Sequence, residues 1–160
     1  MEQFIKLNHT SNIRLPLTTW AKSTTHWLHK AAFDLAIVPL GIITEEPLKE
    51  LIRQFQGTPV VFRMQPWQFY RFHTDAARSC AINMLLEGTD SQTYYGEETQ
   101  DEEVLNIVEL KYNKDSYYLL NTHLKHCVVN RDNTRYMFSL GFPERIGYEQ
   151  VRDFCLERNL

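Results

Sequence analysis

The chain has 160 residues, 43% of them hydrophobic, and a formal net charge of −3 at pH 7. This size and apolar content suit one folded domain with its own core and exclude a disordered chain. Three cysteines without a close-spaced pair exclude a disulfide framework, and the acidic balance and lack of a long apolar run argue against nucleic-acid and membrane partners, so we expect a soluble, cytoplasmic protein.

The N-terminal part, residues 1–57, has a mixed α/β pattern and is expected to support the rest of the domain. Its clearest element is "EEPLKELIRQF", whose apolar residues recur at helical spacing and predict a helix over about 45–56. Thr44 is a suitable N-cap for this helix and Gly57 a natural stop. We expect the helix to pack on a sheet.

Residues 58–142 consist of short β-type segments separated by polar turns such as "EGTDS" and "NRDNT". The segments are "VVFRM", "QFYRFH", "SCAINMLL", "QTYY", "VLNIVELKY", "SYYLL", "HCVVN" and "RYMFSLGF". Seven or eight short antiparallel strands suit a sandwich or a jelly-roll barrel. A final helix is predicted over 147–158, so residues 1–160 form one mainly β domain with flanking helices.

Candidate metal ligands lie at the end of the segment "QFYRFH". His73 and Asp75 are two positions apart, and side chains two apart in an extended chain point to the same side. About fifty residues later, His126 opens the segment "HCVVN". Two imidazoles and one carboxylate are the ligand set of non-haem Fe(II) sites, which keep the opposite metal positions open for a cosubstrate and O₂.

An arginine follows these ligands at a useful distance. Arg135 opens the strand segment that follows "HCVVN", nine positions after His126. A keto-diacid that chelates iron through its keto acid end leaves a distal carboxylate, and a planar guanidinium can hold that carboxylate with two hydrogen bonds. The sequence therefore predicts Arg135 as a cosubstrate-binding residue.

The order His-x-Asp, a long gap, His and then Arg resembles the 2-oxoglutarate- and Fe(II)-dependent oxygenase superfamily. The passage "YYLLNTHLKHCVVNRDNTRYMFSL" is similar to the region of the distal metal histidine and the cosubstrate arginine in the aspartyl/asparaginyl β-hydroxylase and proline-hydroxylase-like branch. The resemblance covers roughly residues 59–142. It implies a double-stranded β-helix, a cupin-like form of the jelly roll.

The resemblance also implies an activity. The protein would be a dioxygenase that uses Fe(II), 2-oxoglutarate and O₂ to hydroxylate an amino-acid residue in a peptide or a free amino acid. His73, Asp75 and His126 would be the catalytic metal ligands, and Arg135 would bind the cosubstrate.

The sequence departs from the family pattern in two respects. Ala81 and Asn83 stand where some relatives carry basic residues, so Asn83 would offer an amide to the cosubstrate or to metal-bound water. A second carboxylate-binding arginine would have to be Arg78 or Arg131. Position 141 is Gly, whereas nucleic-acid demethylases of the superfamily carry a second arginine there, which argues further against a nucleic-acid substrate.

Three alternatives remain open at this stage. His123 lies close to His126 but in a turn-like stretch, so His126 is the favoured ligand. His26 and His29 have helical spacing but lack an accompanying carboxylate or cysteine, which favours surface or packing roles. The whole domain could also be a non-catalytic, cupin-like binding or structural module that retains the barrel.

Overall fold

Antiparallel strands dominate the computed structural model, which describes residues 2–160. These residues form eleven strands and three α-helices, together with a 3₁₀ turn at Leu40–Ile42. The helices are α1 (Arg14–Ser23), α2 (Glu46–Phe55) and α3 (Tyr148–Glu157). The strands are β1 (Phe4–Thr10), β2 (Leu28–His29), β3 (Asp34–Ile37), β4 (Thr58–Met64), β5 (Phe69–His73), β6 (Arg78–Glu87), β7 (Gln92–Glu98), β8 (Val104–Leu110), β9 (Ser116–Asn121), β10 (His126–Val129) and β11 (Arg135–Pro143).

The strands form two antiparallel sheets that correspond to the predicted jelly roll. The larger sheet has the order β1-β9-β6-β11-β4-β3-β2, and the smaller sheet has the order β5-β10-β7-β8. From β4 to β11 successive strands alternate between the two sheets, as in a double-stranded β-helix, except that β7 and β8 are neighbours in the smaller sheet. The mainly β fold with flanking helices is confirmed, and each of the eight predicted strand segments coincides with a strand.

The N-terminal part contributes more to the larger sheet than its sequence indicates. Strand β1 pairs with β9, and β3 pairs with β4, so both extend the sheet sideways. Helix α1 buries Leu17 and Ala21 in the core. These elements are short and lack a clear apolar period, so their own sequence does not predict them. Contacts with neighbouring strands hold them in place.

The N-cap of helix α2 lies one residue later than predicted. The N-cap is Glu45, not Thr44, and Glu45 makes no side-chain capping bond within the helix. Its carboxylate instead accepts hydrogen bonds from the backbone N–H of Asn12 at 2.5 Å and the Tyr117 hydroxyl at 2.9 Å. The helix ends at Phe55, and its C-cap Gln56 takes a left-handed conformation directly before Gly57.

Helices α2 and α3 close the outer face of the larger sheet. Phe55 of α2 packs edge-on against Phe142 of β11 and Phe154 of α3, with ring centroids 5.9 and 5.0 Å apart. Val151 and Cys155 of α3 are fully buried in the same core. With one face of the sheet covered by helices, its other face is free to line the space between the two sheets. No helix among residues 2–160 has the length and apolar character needed to cross a membrane.

Candidate metal centre

The smaller sheet brings two histidines next to each other. His73 is the last residue of β5 and His126 the first of β10, and the antiparallel register pairs these two positions. Their ring centroids are 4.2 Å apart, and both side chains line a cavity between the sheets. The strand alternation that directs one ring inward therefore directs the other ring to the same place.

Asp75 lies in the turn after β5 and completes the cluster. Its backbone N–H donates a hydrogen bond to the Thr122 carbonyl at 3.0 Å, which fixes the turn against the end of β9. Its Oδ1 atom is 3.4 Å from His73 Nε2 and 4.0 Å from His126 Nε2. One potential ligand atom from each of the three residues lies within 4.8 Å of the others, a spacing that fits a single metal ion.

The hydrogen bonds of the two histidines leave the same nitrogen free on each ring. His73 Nδ1 lies 2.8 Å from the Arg71 carbonyl oxygen, and His126 Nδ1 lies 2.9 Å from the Leu124 carbonyl oxygen. A carbonyl can only accept, so both Nδ1 atoms carry the proton and both Nε2 atoms offer a lone pair. Such backbone partners are the usual support of metal-binding imidazoles.

The electrostatics favour the ligand forms of these residues. Burial, with the neighbouring His73, lowers the pKa of His126 to about 4, so its ring is neutral at pH 7. Burial alone would raise the pKa of Asp75, but the adjacent His73 and His126 rings and the charge and hydrogen bond of Arg78 outweigh it. The pKa of Asp75 therefore lies well below its usual range. A neutral imidazole and an ionised carboxylate are the forms that bind a metal.

Arg135 lines the same cavity as the three candidate ligands. It is the first residue of β11 and only 6% exposed, and its guanidinium reaches across to the smaller sheet, where it donates to Thr93 Oγ1 at 3.0 Å. Its other contact is weak, to the Met64 sulfur at 3.9 Å. Gly88, with φ +97°, passes so close that a Cβ there would be 2.8 Å from the Arg135 Cα.

Several buried polar atoms beside Arg135 have no hydrogen-bond partner within residues 2–160. They are Arg135 Nε, Asn83 Oδ1 and the Tyr112 hydroxyl. All three residues line the cavity, together with the three candidate metal ligands. Unsatisfied buried polar groups are costly, so three of them in one cavity make it a candidate site for a polar ligand.

Two of these cavity residues were missed from sequence. Thr93 and Tyr112 carried no signal, because Thr93 is one small residue in a strand and Tyr112 follows the end of β8. Tyr70 also lines the cavity, and its ring stacks on His73 with ring centroids 3.7 Å apart.

The remaining predicted residues lie as follows. Arg78 is in the cavity wall and pairs with Asp75, whereas Arg131 is near the surface and contacts Gln92 at 3.2 Å. His123 is outside this cavity. His29 is on strand β2, not on a helix, and its Nδ1 is 2.6 Å from an Asp34 oxygen.

Comparison with family models and with curated proteins found no match for this chain. Solved structures do share its fold. A prolyl-4-hydroxylase from Pseudomonas putida is 12% identical, with a TM-score of 0.62, over 91% of this chain and 94% of that one. A Trichoplax adhaerens prolyl hydroxylase, solved with a peptide of the hypoxia-inducible factor oxygen degradation domain, is 12% identical with a TM-score of 0.66, over 95% and 87% of the two chains.

A third similar structure contains a metal and a cosubstrate. HygX from Streptomyces hygroscopicus, with nickel and 2-oxoglutarate bound, is 10% identical with a TM-score of 0.62, over 88% of this chain and 82% of that one. At these identities the likeness is one of fold. It confirms the double-stranded β-helix, which these oxygenases share, and the aspartyl/asparaginyl branch stays a prediction.

Proposed function

We propose that this protein is a 2-oxoglutarate- and Fe(II)-dependent dioxygenase that hydroxylates an amino-acid residue in a peptide or a free amino acid. The observation that carries the proposal is the coincidence of two features in one cavity. A cluster of His73, Asp75 and His126 lines this cavity, and so does a buried arginine with unsatisfied polar neighbours. The fold it shares with known oxygenases supports the same reading.

The donor set suits Fe(II). Two neutral imidazole nitrogens and one carboxylate oxygen form the facial triad of non-haem iron oxygenases. The Nε2 atoms of His73 and His126 converge on the Asp75 Oδ1 atom, whereas Asp75 Oδ2 faces Arg78. When bound, iron supplies the oxidising chemistry with O₂ and 2-oxoglutarate, yielding succinate, CO₂ and a hydroxylated product.

The buried arginine suits the distal carboxylate of 2-oxoglutarate. Arg135 is a buried cation held only by a hydroxyl and a thioether, and its Nε has no partner. A carboxylate there would gain charge-assisted hydrogen bonds. Asn83, whose side chain is 8% exposed, and Tyr112 are placed in the same cavity wall and could contribute further hydrogen bonds.

The prime substrate would enter past an aromatic wall. This wall consists of the rings of Phe33, Phe62 and Tyr70, which line the cavity beside His73. The centroid of the Phe33 ring lies 5.1 Å from that of Phe62 and 5.4 Å from that of Tyr70. Apolar rings exclude water from the reacting centre and pack against a compact apolar group, such as an amino-acid side chain. The Trichoplax hydroxylase was also solved in complex with a peptide.

The decisive experiment is anaerobic absorption spectroscopy of the purified protein. The protein with both Fe(II) and 2-oxoglutarate should show the weak visible charge-transfer band of a chelated keto acid. The protein with only one of the two should not show this band. An Asp75→Ala variant that folds as wild type should lack the band. A wild-type protein that binds neither component would refute the proposal and favour a non-catalytic, cupin-like module.

The absorption band tests the binding of Fe(II) and 2-oxoglutarate, and a second assay tests turnover. In air, the loaded protein should convert 2-oxoglutarate to succinate slowly without substrate and faster with the correct peptide or amino acid. Screening peptides and free amino acids for this acceleration, followed by a mass increase of one oxygen atom in the product, identifies the substrate class.

A further inference from the structure

Arg78 contacts only one of the two oxygens of the Asp75 carboxylate. The guanidinium Nε donates to Asp75 Oδ2 at 2.6 Å, while Oδ1 is the atom that faces His73 and His126. Arg78 is the first residue of β6, and its own carbonyl accepts a hydrogen bond from the Thr122 hydroxyl at 2.9 Å. The backbone N–H of Asp75 donates to the carbonyl of that same threonine, so both ends of the ion pair are anchored together.

The guanidinium is itself held in place by two groups and fits beside a glycine. Its Nη1 donates to Ser139 Oγ at 3.0 Å, and its carbon atom lies 5.3 Å from the centroid of the Phe62 ring. On the side of β11, Gly141 leaves room for it, since a Cβ there would lie 3.3 Å from Arg78 Cδ and 3.4 Å from Nη1. These contacts restrict an otherwise flexible side chain to one orientation.

Holding one oxygen matters because of how many metal positions are needed. An octahedral Fe(II) ion has six positions, of which the facial triad fills three, a chelating keto acid two and O₂ one. If Asp75 used both oxygens, the protein would fill four positions and none would remain for O₂ beside the keto acid. A strong hydrogen bond from Arg78 to Oδ2 keeps that oxygen away from the metal.

Charge alone would have a different effect. A cation close to a metal site repels the metal, so an arginine that acted only through its charge would weaken metal binding. Its removal would then tighten binding and leave the ligand arrangement unchanged. An arginine that orients Asp75 would, when removed, alter the arrangement itself.

We propose that Arg78 is a positioning residue that keeps Asp75 a one-oxygen ligand, with Ser139 holding Arg78 in turn. This inference rests on the proposed metal site, but not on the identity of the cosubstrate. It assigns a role to two residues, Arg78 and Ser139, that do not contact the metal themselves.

The test uses Co(II) loaded anaerobically without 2-oxoglutarate, because the visible spectrum of Co(II) reports the number and arrangement of its ligands. Arg78→Met removes both the charge and the hydrogen bond, Arg78→Lys keeps the charge, and Ser139→Ala changes no charge at all. Arg131→Met is the matched control, since it removes one positive charge from a surface side chain outside the cavity. Circular dichroism and the thermal midpoint establish that each metal-free variant is folded.

We expect the Co(II) spectrum to change in Arg78→Met and, more weakly, in Arg78→Lys and Ser139→Ala. Metal affinity in Arg78→Met should fall by about 10–100-fold, the usual effect of losing a partner of a metal ligand. Arg131→Met should match wild type in both measurements. If Arg78→Met does not fold, the spectrum of Ser139→Ala decides.

An unchanged Co(II) spectrum in Arg78→Met overturns the inference, whatever happens to the affinity. Tighter binding with the wild-type spectrum would mean that Arg78 acts through charge alone. A wild-type protein that binds Co(II) but gives no keto acid band with Fe(II) and 2-oxoglutarate would refute the proposed function and leave the role of Arg78 standing.

Discussion

Replacing Arg135 by methionine should have two effects of opposite sign. The side chain is 6% exposed and donates only to a hydroxyl and a thioether, so it is a buried cation without an anionic partner among residues 2–160. Burial lowers the pKa of Arg135 below its ordinary value, because removing the charged guanidinium from water costs free energy. Methionine has a similar length and no charge to bury.

The first effect is on stability in the absence of cosubstrate. Replacing a buried ion pair by apolar groups of similar volume is often stabilising by about 1–4 kcal/mol, and Arg135 lacks even the attraction of a partner that would offset its burial. In a chain of this size, about 1 kcal/mol moves the thermal midpoint by roughly 2–4 °C. We therefore expect Arg135→Met to melt several degrees above wild type.

The second effect is on 2-oxoglutarate. Leaving its distal carboxylate buried without a partner costs about 3–5 kcal/mol, which corresponds to a loss of about two orders of magnitude or more in affinity. Metal binding should change little, because Arg135 is separate from the candidate ligands. Arg135→Lys should fall between the two proteins, since an ammonium keeps the charge but not the planar fork.

The assay combines calorimetric melting with titration of the Fe(II)–2-oxoglutarate band, and Arg131→Met serves as the surface control. If Arg135→Met binds 2-oxoglutarate like wild type, Arg135 does not hold the cosubstrate, and Arg78 becomes the next candidate. If the variant instead melts well below wild type, the account of Arg135 as an unpaired buried cation is wrong.

Three further predictions concern the same cavity. His126→Ala should weaken anaerobic Fe(II) binding strongly and His123→Ala should not, and equal affinities in a metal titration would disprove the ligand assignment. The unfolded chain takes up a proton at His126 near its ordinary pKa of 6.5, whereas the folded protein does so only near pKa about 4. The metal-free protein should therefore lose up to about 3 kcal/mol as pH falls from about 6.5 to about 4, and denaturant titrations of His126→Ala across that window should show a flatter profile. Gly88→Ala should destabilise the protein by more than about 1 kcal/mol, because φ is +97° and the new methyl would press on Arg135. It should also weaken 2-oxoglutarate binding, and an unchanged melting point would count against this account.

The sequence by itself determined the strand content and the candidate ligands. Alternation along short segments predicts β structure locally, and each predicted strand segment is a strand. His73, Asp75 and His126 were identifiable because metal chemistry requires particular residue types, and these types stand at strand ends in a recognisable order. The helix over about 45–56 followed from its apolar period, although its cap did not, because Glu45 is drawn into contacts with Asn12 and Tyr117.

The tertiary structure alone decided which remote residues share the cavity. Strand β6 lies between β9 and β11, and β10 lies between β5 and β7, an order that no local pattern encodes. That order places Asn83, Thr93 and Tyr112 around Arg135, and sets Ser139 against Arg78. It also gives the N-terminal strands β1 and β3 their partners. Local sequence fixes which way a side chain points along its own strand, whereas its neighbours depend on contacts between segments far apart in the chain, and these are settled only when the sheets assemble.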